Sequence, residues 1–322
     1  MQNDDTGVFG TAIPKEPHIP GVEITASFKQ KDIEKKPQSF TQWAQVLDGK
    51  FVITGSTMNK LPSGAYEIQT TDSGFLFTKQ TLHVDELIDF DDSKMSAVLE
   101  EIGRFWDRHS IFQQYKFLHR RGYLFYGPAG SGKTCLVQQI IADIVRRDGL
   151  AFYINTAPRI AADGLRDALR RVEPDRPIVC VLEDIDAIIR YHGESDVLSF
   201  LDGEIQVDRI ITIATTNYPE QLDRRIIARP RRFDRLVYVG MPDANIRRKY
   251  FKSKLLNMSD DEIEQWVDIS DEFSFAALSD LIISVKCLGN DLQTTAKQLA
   301  YLLKSKPSSE KFNEPKERFG FS

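Results

Sequence analysis

The sequence contains few cysteines and no long apolar run. Its only cysteines, Cys135, Cys180 and Cys287, are far apart and show no C-x-x-C spacing. This pattern argues against a disulfide framework or a zinc site and predicts reduced thiols, mostly buried. No apolar stretch approaches the roughly 18 residues of a membrane-spanning helix, and the start "MQNDDTGVFG" lacks the basic and apolar regions of a signal peptide. We therefore expect a cytoplasmic protein with no membrane segment.

The sequence also lacks an overall positive charge. The formal net charge is -5 and the pI is about 5.7. A protein of this charge has no basic field of the kind that drives nonspecific binding to nucleic acid or anionic membranes. Nucleic acid is therefore not favoured as a partner, although a local basic patch would still allow it.

The chain divides by composition into five parts. Residues 1–40 are rich in Pro, Lys, Gln and Asp and are predicted to form a flexible arm. Residues 41–90 contain the β-type runs "KFVITG", "GAYEIQT" and "GFLFTKQ", which predict a small β-rich N-terminal domain. Residues 91–242 form the expected main domain, and residues 243–304 are wholly helical in pattern. Residues 305–322 are polar and are predicted to be a disordered tail.

The main domain alternates strand-like and helical patterns. Strands are predicted at 122–126, 150–155, 178–183, 209–215 and 235–239, and helices at 133–147, 159–172 and 194–202. Such alternation is typical of an α/β fold in which helices cover both faces of a parallel sheet. The predicted fold class is thus an α/β domain, preceded by a small strand-rich domain and followed by a small helical one.

The segment "GPAGSGKTC" lies between a predicted strand and a predicted helix and matches the phosphate-binding pattern G-x-x-x-x-G-K-T. Glycines let the backbone turn tightly and direct successive N–H groups at phosphates, and the helix N-terminus adds its positive dipole end. A lysine and a threonine at these positions suit a phosphate and Mg²⁺. The nucleotide-binding candidates are Gly127, Pro128, Ala129, Gly130, Ser131, Gly132, Lys133, Thr134 and Cys135.

The apolar run "IVCVL" ends abruptly at Glu183 and Asp184, about 50 residues after the phosphate-binding loop. Carboxylates at the end of a buried strand can hold a Mg²⁺ shell and activate water. We assign Glu183, with Thr134, to the metal side and Asp184 to the attacking water. The alternative interpretation is that these acids only cap the next helix or pair with arginines.

Two further groups of polar residues follow. Asn217 comes directly after the strand "RIITIATT", where its amide can hold water near the terminal phosphate, although an asparagine there is also a common turn residue. The segment "DRRIIARPRRFDR" contains six arginines within 12 residues. Arginine stabilises charge on a transferred phosphoryl group, but a charge run is also typical of a solvated surface.

Taken in order, these motifs resemble those of the AAA clade of AAA+ ATPases. "GPAGSGKT" is similar to Walker A, "VCVLEDID" to Walker B, "ATTN" to sensor 1 and "ARPRRFD" to the arginine-finger segment, while "FSFAALSDL" resembles the helical lid. The resemblance covers about residues 90–304. It implies ATP and Mg²⁺ as ligands, Asn217 as sensor 1, and Arg229 and Arg232 as fingers that reach a neighbouring subunit's nucleotide. A finger acting on a neighbour implies a ring, a hexamer in this family, acting on a protein client of unknown identity.

Within this family, "RRGYLFYGP" and the order Glu-Asp-Ile-Asp are similar to the mitochondrial complex III assembly ATPase subgroup. The segment "NTAPRIAADGLRDALRRVEPDRP" contains no aromatic residue, unlike the pore segment of unfoldases that thread polypeptides. The first 90 residues resemble those of viral AAA proteins, which implies a phage origin and a location in the host-cell cytoplasm. Two other functions stay open: a nucleic-acid motor that grips phosphates with Arg159 and Arg166, and a nucleotide-gated scaffold that scarcely hydrolyses ATP.

Overall fold

A computed structural model describes residues 42–47, 50–54, 57–72, 74–81, 94–154, 157–202, 207–227 and 232–304. The predicted arm at 1–40 and the predicted tail at 305–322 lie outside these residues. The chain separates into two compact units, 1–58 and 59–322. In the described part of the chain, no helix is both long and apolar enough to cross a membrane.

The first unit contains an antiparallel hairpin. Its strands are β1 (Gln42–Leu47) and β2 (Lys50–Thr54), paired from Gln42 opposite Thr54 to Leu47 opposite Lys50. The second run was expected as a strand from its β-branched and aromatic residues. Its partner "QWAQVL" was not expected, because glutamine and alanine weaken the β-type pattern.

The second unit is built on a seven-stranded sheet with the order β4-β3-β6-β7-β8-β5-β9. Its strands are β3 (Gly64–Thr71), β4 (Gly74–Gln80), β5 (Arg120–Tyr126), β6 (Leu150–Tyr153), β7 (Ile178–Leu182), β8 (Ile210–Thr216) and β9 (Arg235–Tyr238). All neighbouring strands are parallel except β3 and β4, which form an antiparallel hairpin at one edge. This arrangement confirms the predicted α/β class.

Helices cover the sheet and form the C-terminal region. They are α1 (Lys94–Asp107), α2 (His109–Gln114), α3 (Lys133–Arg146), α4 (Pro158–Asp163), α5 (Arg170–Val172), α6 (Ile185–His192), α7 (Glu194–Asp202), α8 (Arg224–Ile227), α9 (Ala244–Lys254), α10 (Asp260–Ile269), α11 (Phe275–Ile282) and α12 (Leu292–Lys304). A π-helical turn, Gly164–Leu169, joins α4 to α5, so the predicted helix 159–172 is nearly continuous.

The core lies on both faces of the sheet. Successive residues of a strand point to opposite faces, and β7 shows this clearly, since Val179 and Val181 pack with α1 and α3 while Cys180 and Leu182 pack with α4, α6 and α7. All five residues of β7 are buried. A strand covered on both faces reads as a continuous apolar run, as this one does.

The structure differs from the expected domain boundary at residue 90. Strand β3 pairs in parallel with β6, from Gly64 opposite Leu150 to Glu67 opposite Tyr153, so β3 and β4 extend the sheet of the main domain. The division between compact units falls between Met58 and Asn59. The strand-rich N-terminal part is accordingly smaller than residues 41–90.

Candidate active site

The phosphate-binding loop begins where β5 ends. Its first residue, Gly127, has φ +151°, and a Cβ atom there would lie 2.1 Å from the carbonyl oxygen of Val239. Gly132 has φ +100° and immediately precedes α3. Side chains are strained or excluded at both positions, so glycine is what allows the loop to turn and point into the N-terminus of α3.

The side chain of Lys133 folds back over this loop. Its ammonium donates hydrogen bonds to the carbonyl oxygens of Gly127 at 2.9 Å and Pro128 at 2.8 Å. Burial lowers the pKa of Lys133, and the nearby carboxylate of Asp184 opposes that shift. An ammonium has three N–H donors, so this buried cation can bind the loop and still contact a phosphate oxygen.

Glu183 lies at the end of β7 against the first turn of α3. The hydroxyl of Thr134 donates a hydrogen bond to its carboxylate. Burial raises the pKa of Glu183, the Thr134 hydrogen bond lowers it, and the Asp184 charge raises it further. The two residues that the sequence assigns to the metal side are thus neighbours, and the hydroxyl of Thr134 lies beside the carboxylate of Glu183.

Asp184 turns away from the strand. Its backbone is left-handed, with φ 48° and ψ 55°, and it immediately precedes α6. The Asp184 N–H donates to Oγ1 of Thr215 at 3.0 Å, and Asn217 Nδ2 donates to Oδ1 of Asp184 at 3.4 Å. The acid and the amide that sequence reasoning assigned to the attacking water are therefore neighbours.

Strand order explains why these groups meet. Strand β8 lies between β7 and β5, with Leu182 opposite Ala214 and Tyr126 opposite Thr216. The carboxyl ends of these parallel strands share one edge of the sheet, where α/β proteins bind their ligands. The backbone N–H of Gly127 also donates to the carbonyl oxygen of Thr216 at 3.4 Å, which joins the loop directly to the end of β8.

A cavity of about 660 Å³ opens over this edge. Its sheet side consists of Ala129, Gly130, Gly132, Lys133, Thr134, Cys135, Gln138, Glu183, Asp184, Thr215 and Asn217, and its other side of Tyr250, Phe275, Ala276, Ser279, Asp280 and Ile283. The backbone N–H of Phe275 donates to the carbonyl oxygen of Gly130 at 2.9 Å, so α11 begins directly against the loop. Volumes of 300–1,000 Å³ are typical of small-molecule sites.

Arg232 does not join this site. Its side chain is 4% exposed and binds the carboxylate of Asp202 in a two-pronged ion pair, and it also donates to the carbonyl oxygen of Arg225. In this structure the Arg232 guanidinium is therefore bound within its own chain, and its role as a finger stays a prediction. Arg229 lies outside the described residues.

Sequence reasoning missed the helical side of the cavity. Tyr250 of α9 and Phe275, Ser279 and Asp280 of α11 line it. Three of these residues, Phe275, Ser279 and Asp280, lie in the segment "FSFAALSDL", whose resemblance to a lid is the signal that the sequence offers for them. The contact of Asp186, three residues after Glu183, with Thr216 of β8 was missed as well, because it joins residues far apart in the sequence.

A glycine-rich strand-to-helix loop, a buried lysine, two acids and an amide around one cavity define a P-loop nucleoside triphosphatase. Residues 123–241 match the family described as "ATPase family associated with various cellular activities (AAA)". This match covers 119 of the 322 residues and identifies an AAA ATPase domain, a domain that binds and hydrolyses ATP, in that segment.

Three curated relatives show the range of proteins to which this chain is similar. It is 29% identical over 194 residues to the "Probable 26S proteasome regulatory subunit 6B" of Caenorhabditis elegans, covering 53% of this chain and 46% of that protein. It is 30% identical over 171 residues to the "ATP-dependent zinc metalloprotease FtsH 1" of Conexibacter woesei, covering 47% of this chain and 25% of that protein. It is 28% identical over 183 residues to "Protein SAV" of Sulfolobus acidocaldarius, covering 50% of this chain and 23% of that protein. The matches span less than half the length of each relative.

Proposed function

We propose that this chain performs Mg²⁺-dependent ATP hydrolysis as a subunit of a ring, a hexamer, and uses the energy to remodel a protein client or complex. The observation that carries the proposal is the meeting of Lys133, Glu183, Asp184 and Asn217 around one cavity. These residues supply a phosphate-binding cation, a metal-side acid, a base and a water-binding amide. Residues 243–304 act as the lid over the nucleotide, because α9 and α11 line the cavity.

The oxygens of Thr134 and Glu183 fit a bound Mg²⁺. In the described residues no cluster of three or more His, Cys, Asp and Glu side chains could hold a metal on its own. Mg²⁺ commonly binds through one or two protein oxygens together with substrate phosphates and waters, and the Thr134–Glu183 contact offers such a pair. The ion would neutralise charge on the phosphates.

The protein groups divide the remaining tasks. Backbone N–H groups of the loop and the ammonium of Lys133 bind the phosphates. Asp184 accepts the proton of the attacking water, and Asn217 holds that water on the side opposite the leaving phosphate chain. The 3.4 Å distance between Asn217 Nδ2 and Asp184 Oδ1 leaves both side chains near enough to bind one water molecule together.

The ring and its client rest on family resemblance. With Arg232 buried in its own chain, Arg229 is the residue that we propose as the finger acting on a neighbouring subunit. The aromatic-free segment after β6 favours the complex III assembly subgroup over polypeptide-threading relatives, and thus a client moved in folded or assembled form. The resemblance of the first 90 residues to viral AAA proteins adds a phage origin to this proposal.

The charges around Arg159 and Arg166, in the segment after β6, argue against the nucleic-acid alternative. The guanidinium of Arg159 binds Asp196 at 2.8 Å, and that of Arg166 binds Asp163 and Asp167 at 2.7 Å each. Carboxylates beside both arginines reduce the positive potential that would attract a phosphate backbone. A protein client is therefore the better supported partner.

Phosphate release by wild type, Asp184→Asn and a control Asp261→Asn tests the proposal. Asp261 is an exposed carboxylate in the first turn of α10, away from the cavity. We expect Asp184→Asn to bind a fluorescent ATP analogue like wild type and to lose turnover by at least about 100-fold, since general-base catalysis contributes about 10²–10⁴. The control should hydrolyse ATP normally. Equal, negligible turnover by all three proteins, with ATP still bound, would favour the scaffold alternative instead.

Sedimentation with and without ATP tests assembly separately. A ring should appear as a species of several subunits in the presence of nucleotide. A chain that hydrolyses ATP while remaining a monomer at every concentration would remove the ring from the proposal without affecting the ATPase activity.

A further inference from the structure

Thr216, the last residue of β8, makes two side-chain hydrogen bonds next to Asn217. Its hydroxyl lies 2.8 Å from Oδ1 of Asp186 and 3.0 Å from the backbone nitrogen of Tyr218. A carboxylate only accepts hydrogen bonds, so the hydroxyl must donate to Asp186 and accept from the Tyr218 N–H. The hydroxyl proton and one of its two lone pairs are thereby fixed in direction.

The bond to Tyr218 closes a tight turn around Asn217. A threonine oxygen that accepts from the N–H two residues later forms a local turn that competes with extended strand. Asn217 is the residue enclosed by this turn, and its side chain reaches Asp184. The direction of the Asn217 amide therefore depends on the hydroxyl of Thr216.

Asp186 provides the fixed end of this arrangement. Its side chain is only 5% exposed and lies in the first turn of α6, the helix that begins directly after Asp184. Its second oxygen, Oδ2, accepts from Arg190 at 3.2 Å, one turn further along α6. The carboxylate is thus held by its own helix while it binds the neighbouring strand.

These contacts link the two candidate catalytic side chains, Asp184 and Asn217, by a second route besides their direct hydrogen bond. Asp184 precedes α6, Asp186 lies in α6 and binds Thr216, and Thr216 precedes Asn217. We propose that Asp186 and Thr216 are positioning residues that set the Asn217 amide at its working distance from Asp184. This inference rests on the proposed hydrolysis and adds to it a pair of residues that do not touch the nucleotide cavity.

The test compares Thr216→Val, Thr216→Ser and Thr212→Val. Valine removes the hydroxyl at nearly constant shape, and serine restores it. Thr212 lies four residues earlier on the same face of β8, roughly 13 Å along the strand, so Thr212→Val makes the same chemical change away from the site. The backbone bond from Gly127 to the Thr216 carbonyl does not depend on the side chain, so the strand end should persist in all variants.

We expect Thr216→Val to lower kcat by on the order of 100-fold, the loss that a displacement of about 1 Å can cause, with the dissociation constant for ATP changed less than about threefold. Thr216→Ser should recover most of kcat, and Thr212→Val should match wild type. Asp186→Asn should lower kcat less than Thr216→Val, because an amide oxygen still accepts from the hydroxyl but holds it less firmly than a carboxylate.

A double-mutant cycle with Asn217→Ala separates positioning from general structure. If Thr216 acts through Asn217, Thr216→Val should cost little further kcat once Asn217 is alanine. The inference is overturned if Thr216→Val retains wild-type kcat, if it weakens ATP binding as much as turnover, or if its effect is the same in both backgrounds. A wild-type chain that binds ATP without hydrolysing it would instead defeat the proposed function on which the inference rests.

Discussion

Replacing Arg232 by alanine is expected to lower the free energy of unfolding, because this side chain forms a nearly buried ion pair within its own subunit. The guanidinium is 4% exposed, and its Nε and one terminal nitrogen both bind the carboxylate of Asp202, with the Nε–Oδ1 distance at 2.5 Å. The other terminal nitrogen donates to the carbonyl of Arg225. Arg232 therefore connects the end of α7 to the segment that follows α8.

The size of the loss follows from what alanine leaves behind. Removing one partner of a fully buried pair costs about 3–5 kcal/mol, mainly because the other charge stays buried without a partner. The Asp202 side chain is 39% exposed, so water can solvate it again and the expected loss is smaller, about 2–3 kcal/mol. For a domain of this size, each kcal/mol lowers Tm by about 2–4 °C, so Tm should fall by roughly 4–12 °C.

Thermal unfolding of wild type, Arg232→Ala, Arg232→Lys and Asp202→Ala provides the measurement. Lysine keeps the charge but not the planar two-pronged geometry, so Arg232→Lys should lie between wild type and Arg232→Ala. The double variant Arg232→Ala/Asp202→Ala should cost less than the sum of the single changes, because both remove the same pair. Unchanged Tm and ATP binding in Arg232→Ala, together with lost turnover in the assembled protein, would refute this reasoning and support Arg232 as a finger.

Two further predictions use the cysteines and a buried histidine. Cys135 lines the nucleotide cavity, Cys287 is exposed and Cys180 is fully buried with its pKa raised by burial to about 12. ATP should thus slow alkylation of Cys135 but not of Cys287, with Cys180 reacting only on unfolding, and equal labelling of Cys135 with and without ATP would contradict this placement. His119 is buried and stacks on Phe105, and burial lowers its pKa below the usual 6.5. Its neutral form stabilises the fold, so this contribution is complete above about pH 6.5 and is lost as pH falls toward the lower folded-state pKa. Chemical denaturation should show a steeper loss of stability from pH 7 to 5 in wild type than in His119→Gln, and equal slopes would count against the assignment.

The phosphate-binding loop could be predicted from sequence because its chemistry is local. Gly127 and Gly132 are needed within a few residues of Lys133, so one short stretch contains the whole pattern. The acids followed for the same reason, since a buried strand that ends in carboxylates is visible as an apolar run that stops. Asn217 was found by applying the same argument to the next strand.

The domain boundary could not be predicted in this way, because it depends on strand pairing between distant residues. Strand β3 pairs with β6, with Gly64 opposite Leu150, and nothing in "GAYEIQT" specifies that partner. Helix α6 was also missed, because its eight residues are too few to show a clear helical period.

The hydrogen-bond partners of individual polar side chains could not be predicted from the sequence. Six arginines crowd one segment, and sequence spacing cannot show that Arg232 turns inward to Asp202. The contact between Thr216 and Asp186 joins residues 30 positions apart, each of which has an ordinary local explanation as a strand end or a helix start. Sequence reasoning thus found polar groups that line the cavity and missed the Thr216–Asp186 contact, which lies outside it.

The backbone conformation of residue 184 explains the order Glu-Asp at the end of β7. Residue 184 is left-handed, at φ 48° and ψ 55°, a conformation that costs most residues energy but is several-fold enriched in aspartate and asparagine. The turn directs the side chain of Asp184 toward Asn217, while the longer Glu183 remains on the strand beside Thr134. A glutamate at 184 would have to adopt a less favourable backbone, and an aspartate at 183 would lie about one methylene farther from Thr134. The short acid therefore belongs at the turn and the long acid at the strand, so the order of the pair is consistent with an active enzyme.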